Sequence, residues 1–446
     1  MDRRRAIIAG MWVAALGAIA FIYSTLEPTP REGERRDTGE APTYVAGEDI
    51  APSESRLELA VGDDPMRLDR YRGGNRHTGR SRFVGPSRPT RIFRAQLGGR
   101  ISAQAVIGED GTIYVGAHDQ RFHALAPDGT ERWSAEVHHR AWSAAAILEG
   151  GDLVVGSDAD ALFRFARDDG HPVWRVETEG DADGAVGIGD DGTIYFTGGP
   201  HLYAIDADGH VRWRFRARGA FLLSSPAIDS DGTLYIGSID DHLYAIASDG
   251  RMRWDYETGA DVSSSPVIGD AGLIYIGSDD QHVHAVDRDG QLAWKTHVDG
   301  YVRAPVALGR NGDVIAAIYG PQPRVVSLDA SDGELRWYFP VAVSESPEIG
   351  VASGPIVDAE GSIYFGAHDD YVYALSSQGE LRWIERTGGD VDAAPILRED
   401  GTIIVGCDDG ILYAIGDDPD GPDGAVADGA APDAGVSDEP ADLPSP

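Results

Sequence analysis

SSPAIDSDGTLYIGSIDDHLYAIASDGRMRW, residues 224–254, is the stretch whose reading decides the fold. It holds a short Ser-Pro-Ala-Ile segment, an alternating T-L-Y-I-G run, an L-Y-A-I run and a polar run ending in Trp254. Asp-Gly pairs such as Asp231-Gly232 and Asp249-Gly250 separate them, a strong short-range hairpin signal. The unit therefore reads as four short antiparallel strands.

The unit recurs along the chain. The glycine that opens G-T-L-Y-I-G returns at Gly111, Gly151, Gly192, Gly232, Gly272, Gly312, Gly361 and Gly401, at spacings of 40 or 41 except for one of 49. The closing tryptophan returns at Trp133, Trp174, Trp213, Trp254, Trp294, Trp337 and Trp383. Four strands per forty residues, repeated radially, predict an all-β, eight-bladed β-propeller of four-stranded antiparallel blades. The seven tryptophans are one short of the eight glycines. After Gly401 the chain gives TIIVG and ILYAI but no outer strand. Phe93 lies as far before Ile107 as Trp133 lies before Ile147. Residues 91–96 are thus expected to complete the last blade, closing the ring by an N-terminal strand and removing its open edge.

The ends read differently. Arg3, Arg4 and Arg5 precede an apolar run from Ala6 to Leu26, long enough to cross a ~30 Å hydrocarbon core. A secretory h-region is shorter, and Tyr23-Ser24-Thr25-Leu26 is a poor cleavage site. Residues 1–26 are read as one N-terminal transmembrane helix, with a cleaved signal as the alternative. The positive-inside rule puts the rest in an extracytoplasmic space: a periplasm, with the anchor in a bacterial-type inner membrane, or outside the cell if the signal is cleaved. Residues 27–65 have the composition of a flexible linker, 66–415 hold the propeller, and 416–446 read as a disordered acidic tail.

The formal charge is −36; the first 26 residues carry +2 and the last 31 carry −9, so the remainder is strongly acidic in its own right. No basic footprint for nucleic acid is present. Cys407 is the sole cysteine, which excludes an intrachain disulfide, a Cys-rich metal site and haem attachment.

The G-T-I-Y-V-G, L-Y-A-I and D-G-x-x-x-W strings, with the lead-in RGGNRHTGRS at 72–81, resemble the pyrroloquinoline-quinone-like (PQQ-like) β-propeller superfamily over about residues 66–415. That resemblance implies the propeller. It leaves function between quinone- and calcium-dependent alcohol dehydrogenases and non-catalytic envelope propellers. The dehydrogenases typically carry adjacent cysteines over the quinone, and this chain has one cysteine. No motif supplies calcium carboxylates or a catalytic Asp. The reading is therefore the non-catalytic branch: no enzyme, no PQQ and no calcium. It is a protein-binding or scaffolding module for cell-envelope proteins, with a quinoprotein oxidoreductase and a glycan-binding module as alternatives.

Several residues invite a chemical reading. The tryptophans, with Phe93 in the eighth place, recur too regularly for a ligand-stacking series; inter-blade packing explains them. Asp206 to Gly209, Asp229 to Gly232 and Asp287 to Gly290 suggest calcium loops but lack a distal bidentate carboxylate, and hairpin turns demand the same residues. His201, His242 and His282 fall in successive blades, too far apart for one metal. The connection between each Trp and the next inner strand varies most, and surrounds one mouth of the central channel. Its large and charged residues are Arg100, His138, His139, Arg140, Trp142, Phe221, Tyr301 and Arg303, with Asp181, Asp183, Glu345, Glu348, Asp390 and Asp392. Exposed aromatics and arginines are typical binding anchors, so this mouth is the expected partner surface.

The topology has a direct check. A reporter active only outside the cytoplasm, fused after Pro446, is expected to be active; activity of a cytoplasmic reporter instead would reverse the orientation.

Overall fold

The computed structural model describes residues 67–343 and 350–417. The anchor and linker segments, most of the acidic tail, and Glu345 and Glu348 lie outside the described residues. Among the described residues no helix is long and apolar enough to cross a membrane.

Thirty-two strands form eight four-stranded sheets. Blades 1 to 7 each use four consecutive strands, in blade 4 Ala227–Ile228, Leu234–Ser238, His242–Ile246 and Met252–Glu257. All pairings within blades are antiparallel. The innermost strand is only two residues long, and the tryptophan sits third in the six-residue outer strand rather than at its end. A register shift between Ala245 and Ile246 lies opposite the start of that strand. Middle strands are buried along their length, while the outer strands are largely exposed and in blades 2 and 3 alternate in burial, as expected where one face is covered and the other solvated.

Blade 8 closes the ring. Its outer strand is Pro89–Gln96, paired with Ile411–Asp417 ahead of Ile403–Gly406 and Ile396–Leu397. The strand runs two residues past the expected end of the propeller, because Gly416 and Asp417 pair with Thr90 and Pro89.

Blades are joined by one repeated contact. Each indole N–H reaches a turn carbonyl in the next blade: Trp133 to Arg167 at 2.9 Å, Trp213 to Ser248 at 2.9 Å, Trp254 to Arg288 at 2.8 Å, Trp294 to Ala330 at 3.1 Å and Trp337 to Ser377 at 3.2 Å. The ring lies on the glycine of that same turn. Gly290 has φ +81°, and a Cβ there would sit 2.8 Å from Trp254. Glycine is required twice at this position, for its backbone and for the indole. Phe93 covers Gly129 of blade 1 in the same way, without the N–H. Blade 8 has no such turn to offer, so Trp383 donates instead to Pro86, at 2.7 Å, in the segment entering the closing strand.

The lead-in is part of the core. Amides of Ile107, Ile147, Ile228, Ile268, Leu308 and Val357, on the inner strands of six blades, donate to carbonyls of Leu68, Asp69, Asn75, Arg76, Thr78 and Gly79. The segment therefore runs among the inner strands. Arg72 is buried there, with its guanidinium on the carbonyls of Val306 and Pro355 at 2.6 and 2.9 Å. Burial lowers its pKa to about 10, leaving it charged at neutral pH.

Trp254→Ala is expected to cost ~3–5 kcal/mol, as for other buried aromatic truncations. Deleting 89–96 should lower the melting temperature far more than deleting 27–60. Equal melting temperatures for the two deletions would contradict the role of the closing strand.

Candidate binding surface at the channel mouth

The connections leading from each outer strand to the next inner strand meet the turns between the two middle strands. One hydrogen bond locks each pair. Amides of His118, Asp158, Gly199, Ile239, Asp279, His368 and Asp408 donate to carbonyls of Arg100, Arg140, Asp181, Ala220, Asp261, Gly350 and Asp390 at 2.9–3.1 Å, while Tyr301 and Tyr319 exchange two bonds of 2.8 Å. The residue that follows each carbonyl turns inward and is buried: Ile101, Ala141, Ala182, Val262, Val302, Val351 and Val391. The residue after that faces the mouth.

This alternation sorts the candidates. Arg100 pairs with Asp408 at 2.9 Å. Trp142 donates to Asp158 at 3.3 Å, His139 meets the same carboxylate oxygen at 3.2 Å, and the Trp142 ring lies 4.2 Å from that of His118. Arg140 is exposed. Arg303 forks onto Asp279 with bonds of 2.8 and 3.0 Å, and its guanidinium lies over both Tyr301 and Tyr319, at 4.9 and 4.8 Å. Tyr319 meets His368 edge-on, and His368 bonds Asp392.

Two candidates leave the mouth. Phe221 is fully buried and packs edge-on against Tyr244, because it occupies the inward position. Blade 4 carries one residue more than blade 5 here: two residues separate Phe221 from Ser224, while one separates Val262 from Ser264. The extra residue forms a turn in which Leu222 takes φ +40° and Leu223 is 51% exposed. A leucine at positive φ is strained, and such strain clusters at functional sites. His138 also departs. With φ +65° it turns to the outer groove between blades 1 and 2, toward Glu136 and Phe163.

Sequence reasoning missed the turn residues His118, Asp158, Asp279, Tyr319, His368 and Asp408, since only the connections after each tryptophan were weighed as binding surface. It also missed Leu223, hidden by a repeat spacing that stays at 40 when the insertion is compensated elsewhere.

The mouth is acidic and electrostatically tense. Burial raises Asp181 to about 6, with Asp158 adding to it, and raises Asp261 to about 6, with Asp279 adding to it. Asp183 is pushed up by burial and by Asp158. Burial, with Arg140 second, lowers His118 to about 4 and keeps it neutral. Oxygens of Asp158, Asp181 and Asp183 lie within 4.8 Å of one another. Two other groups, Asp280 with His282 and His284 and Asp206 with Asp208 and His210, are as close, but their atoms are engaged locally. Asp280 bonds His284 at 3.1 Å, and Asp206 caps the amides of Asp208 and His210 at 3.0 and 2.9 Å. Asp287 likewise caps Asp289 and Gln291, both at 2.9 Å, and Asp229 holds Arg288. His201, His242 and His282 each lie near an acid of their own, Glu179, Asp240 and Asp280. The Cys407 thiol is buried, pushed up to about 12 and bonded to the Gly389 carbonyl.

A raised carboxyl pKa carries a sign. Asp181 binds its proton more tightly folded than unfolded (~3.9), so its cost is full above about 6 and is relieved as pH falls toward 4. Asp181→Asn is expected to raise the melting temperature at pH 7.5 and to lose that gain by pH 4. A gain independent of pH would show that charge is not the cause.

The family profile described as "Outer membrane protein assembly factor BamB" matches residues 81–183, 160–230 and 201–418. No curated protein matches the chain. BamB from Moraxella catarrhalis superposes with a TM-score of 0.62 at 18% identity, over 74% of this chain and 98% of that one. The quinohemoprotein alcohol dehydrogenase from Comamonas testosteroni gives 0.68 at 16% identity, over 79% and 81%. At these identities the two structures attest the fold, and the profile attests the lineage: the chain belongs to the outer membrane protein assembly factor BamB family, within the PQQ-like β-propellers.

Proposed function

We propose that the protein is a non-catalytic scaffold of the cell envelope that binds a protein partner at this channel mouth, tethered to the membrane by residues 1–26. The observation that carries the reading is the Leu222–Leu223 turn. Nothing in the repeat calls for an extra residue, a strained backbone and a leucine in water at one point of the mouth. At other blades of the same mouth stand Trp142 and the Tyr301–Arg303–Tyr319 stack, large amphipathic groups of the kind that anchor interfaces. The acidic rim of Asp158, Asp181, Asp183 and Asp261 suits a basic partner surface, and like-signed surfaces would be repelled. Membership in an assembly-factor family supports binding over catalysis.

A photo-cross-linker replacing Leu223 in the full chain, in cells, is expected to capture a specific envelope protein. The same group replacing Arg251, in the turn at the opposite end of the blade, should capture none. Leu223→Asp should leave the melting temperature unchanged, since the side chain is half in water, and abolish capture of the same protein by a cross-linker placed elsewhere on the mouth, a loss of ~2 kcal/mol or more. Undiminished capture by a second cross-linker replacing Tyr301 in the Leu223→Asp variant would refute the reading.

A further inference from the structure

The repeat supplies its own template for a second site, on the outer edge. Two residues after the tryptophan, each outer strand presents a side chain to the third residue of the next blade's neighbouring middle strand. Phe215 packs on Tyr244 with centroids 5.5 Å apart, Tyr256 on His284 at 5.8 Å and Phe339 on Tyr373 at 5.9 Å. That third residue is in turn latched to an aspartate four positions earlier: Tyr244 to Asp240 at 2.8 Å, His284 to Asp280 at 3.1 Å and Tyr413 to Asp409 at 2.6 Å. In three of the eight grooves ring, latch and aspartate together fill the space between blades.

Between blades 1 and 2 all three parts change together. The outer-strand residue is Ala135, the middle-strand residue is Phe163, and the aspartate position is Ala159. Blade 8 also presents a small residue, Ala95, but the facing His123 keeps its latch to Asp119 and adds Glu131 at 2.8 Å. At Ala135 no ring and no latch fills the space, and an open groove of about 450 Å³ lies there. Phe163, Phe165, Pro172 and Trp174 give it an apolar wall, with the backbone of Gly170 at one end. Polar tips cover it: Arg175 lies 5.4 Å above the Phe163 ring, and the His138 ring 5.9 Å away leans toward Glu136. Both tips are on exposed side chains that can swing aside.

We propose that this slot is a receptor site for one aromatic side chain of a partner polypeptide. The occupant's chemistry is read from the chain itself, which inserts Phe215, Tyr256 and Phe339 into the equivalent grooves. With no latch hydroxyl at Phe163 and no carboxylate at residue 159, the floor is an apolar ring surface suited to edge-on or offset aromatic packing. The polar rim of Glu136, His138 and Arg175 is what surrounds a buried anchor in a protein interface, and it offers partners for the peptide groups flanking the ring. This site lies on the perimeter, apart from the channel mouth, and does not depend on the function proposed for the mouth.

Saturation-transfer NMR on the full chain tests it, with N-acetyl-phenylalanine amide as the probe and Ala135→Phe as the self-filled variant. Transfer to the probe is expected from the native protein and should be lost in Ala135→Phe, which should melt no lower than native because it copies the aromatic that blades 3, 4 and 6 carry at this position. Ala135→Val, which copies Val176 of blade 2, should reduce transfer and serves if the larger variant does not fold. Equal transfer from native and Ala135→Val proteins overturns the proposal. So does a lowered melting temperature in Ala135→Val, which would mean the slot has no room. Transfer to p-cresol without transfer to the phenylalanine amide would make it a small-molecule site, and the polypeptide assignment would fall.

Discussion

Six of the eight blades are held to the next by an indole N–H that reaches a turn carbonyl while its ring lies on that turn's glycine. A four-stranded sheet alone leaves both faces exposed, and no single blade can bury them; the ring forms because every face finds a neighbour. The indole contact sets the angle and register of that meeting, since ring, glycine backbone and carbonyl must all agree. It also explains how the ring closes. Closure takes the outer strand of blade 8 from the N-terminal side, so blade 8 lacks the hairpin that Trp383 needs, and the chain supplies Pro86 as a substitute acceptor. Phe93, on the closing strand, keeps the packing over Gly129 and gives up the hydrogen bond.

The lead-in makes the ring more than a sum of neighbours. Its carbonyls satisfy amides from the inner strands of six blades, and Arg72 spends its guanidinium on backbone carbonyls rather than on an acid. A buried arginine without a carboxylate is tolerable only where several carbonyl dipoles converge, as they do at the axis of a propeller. Residues 72–81, which resemble a family signature in the sequence, are thus an internal brace that ties together blades distant in the chain.

What could be read from sequence follows from what repeats. Eight copies of one pattern average away the ambiguity of any single short strand, so blade number, strand order and even the closing strand at Phe93 were legible. The tryptophans recur because the contact recurs. The site was harder. Spacing finds the variable connections, and Arg100, Trp142, Tyr301 and Arg303 do lie at the mouth. It cannot tell inward from outward within a loop, because that alternation is set by a hydrogen bond to the turn between the middle strands of the blade the loop enters. Phe221 is buried and His138 turns outward for this reason, and a one-residue insertion shifted Leu223 into view without changing the repeat length. The turn residues opposite, such as Asp279 and Tyr319, were concealed by sitting where hairpins always carry polar groups.

A repeat protein gives a physical means of separating fold from function that a non-repetitive chain lacks. Every blade faces the same packing problem, so the solution most blades share shows what the fold needs. A departure with a local compensation, such as His123 with its two acids in place of a tyrosine latch, is another solution to that problem. A departure without one leaves either strain, as at Leu222, or empty space, as at Ala135. Neither improves the folded state: strain at a positive φ and an unfilled groove both reduce stability. The two uncompensated departures lie on different surfaces, the mouth and the perimeter, and each exposes apolar material among charges. Were both proposed sites occupied, the propeller would hold two partners, or two parts of one, at a separation set by the blades between them.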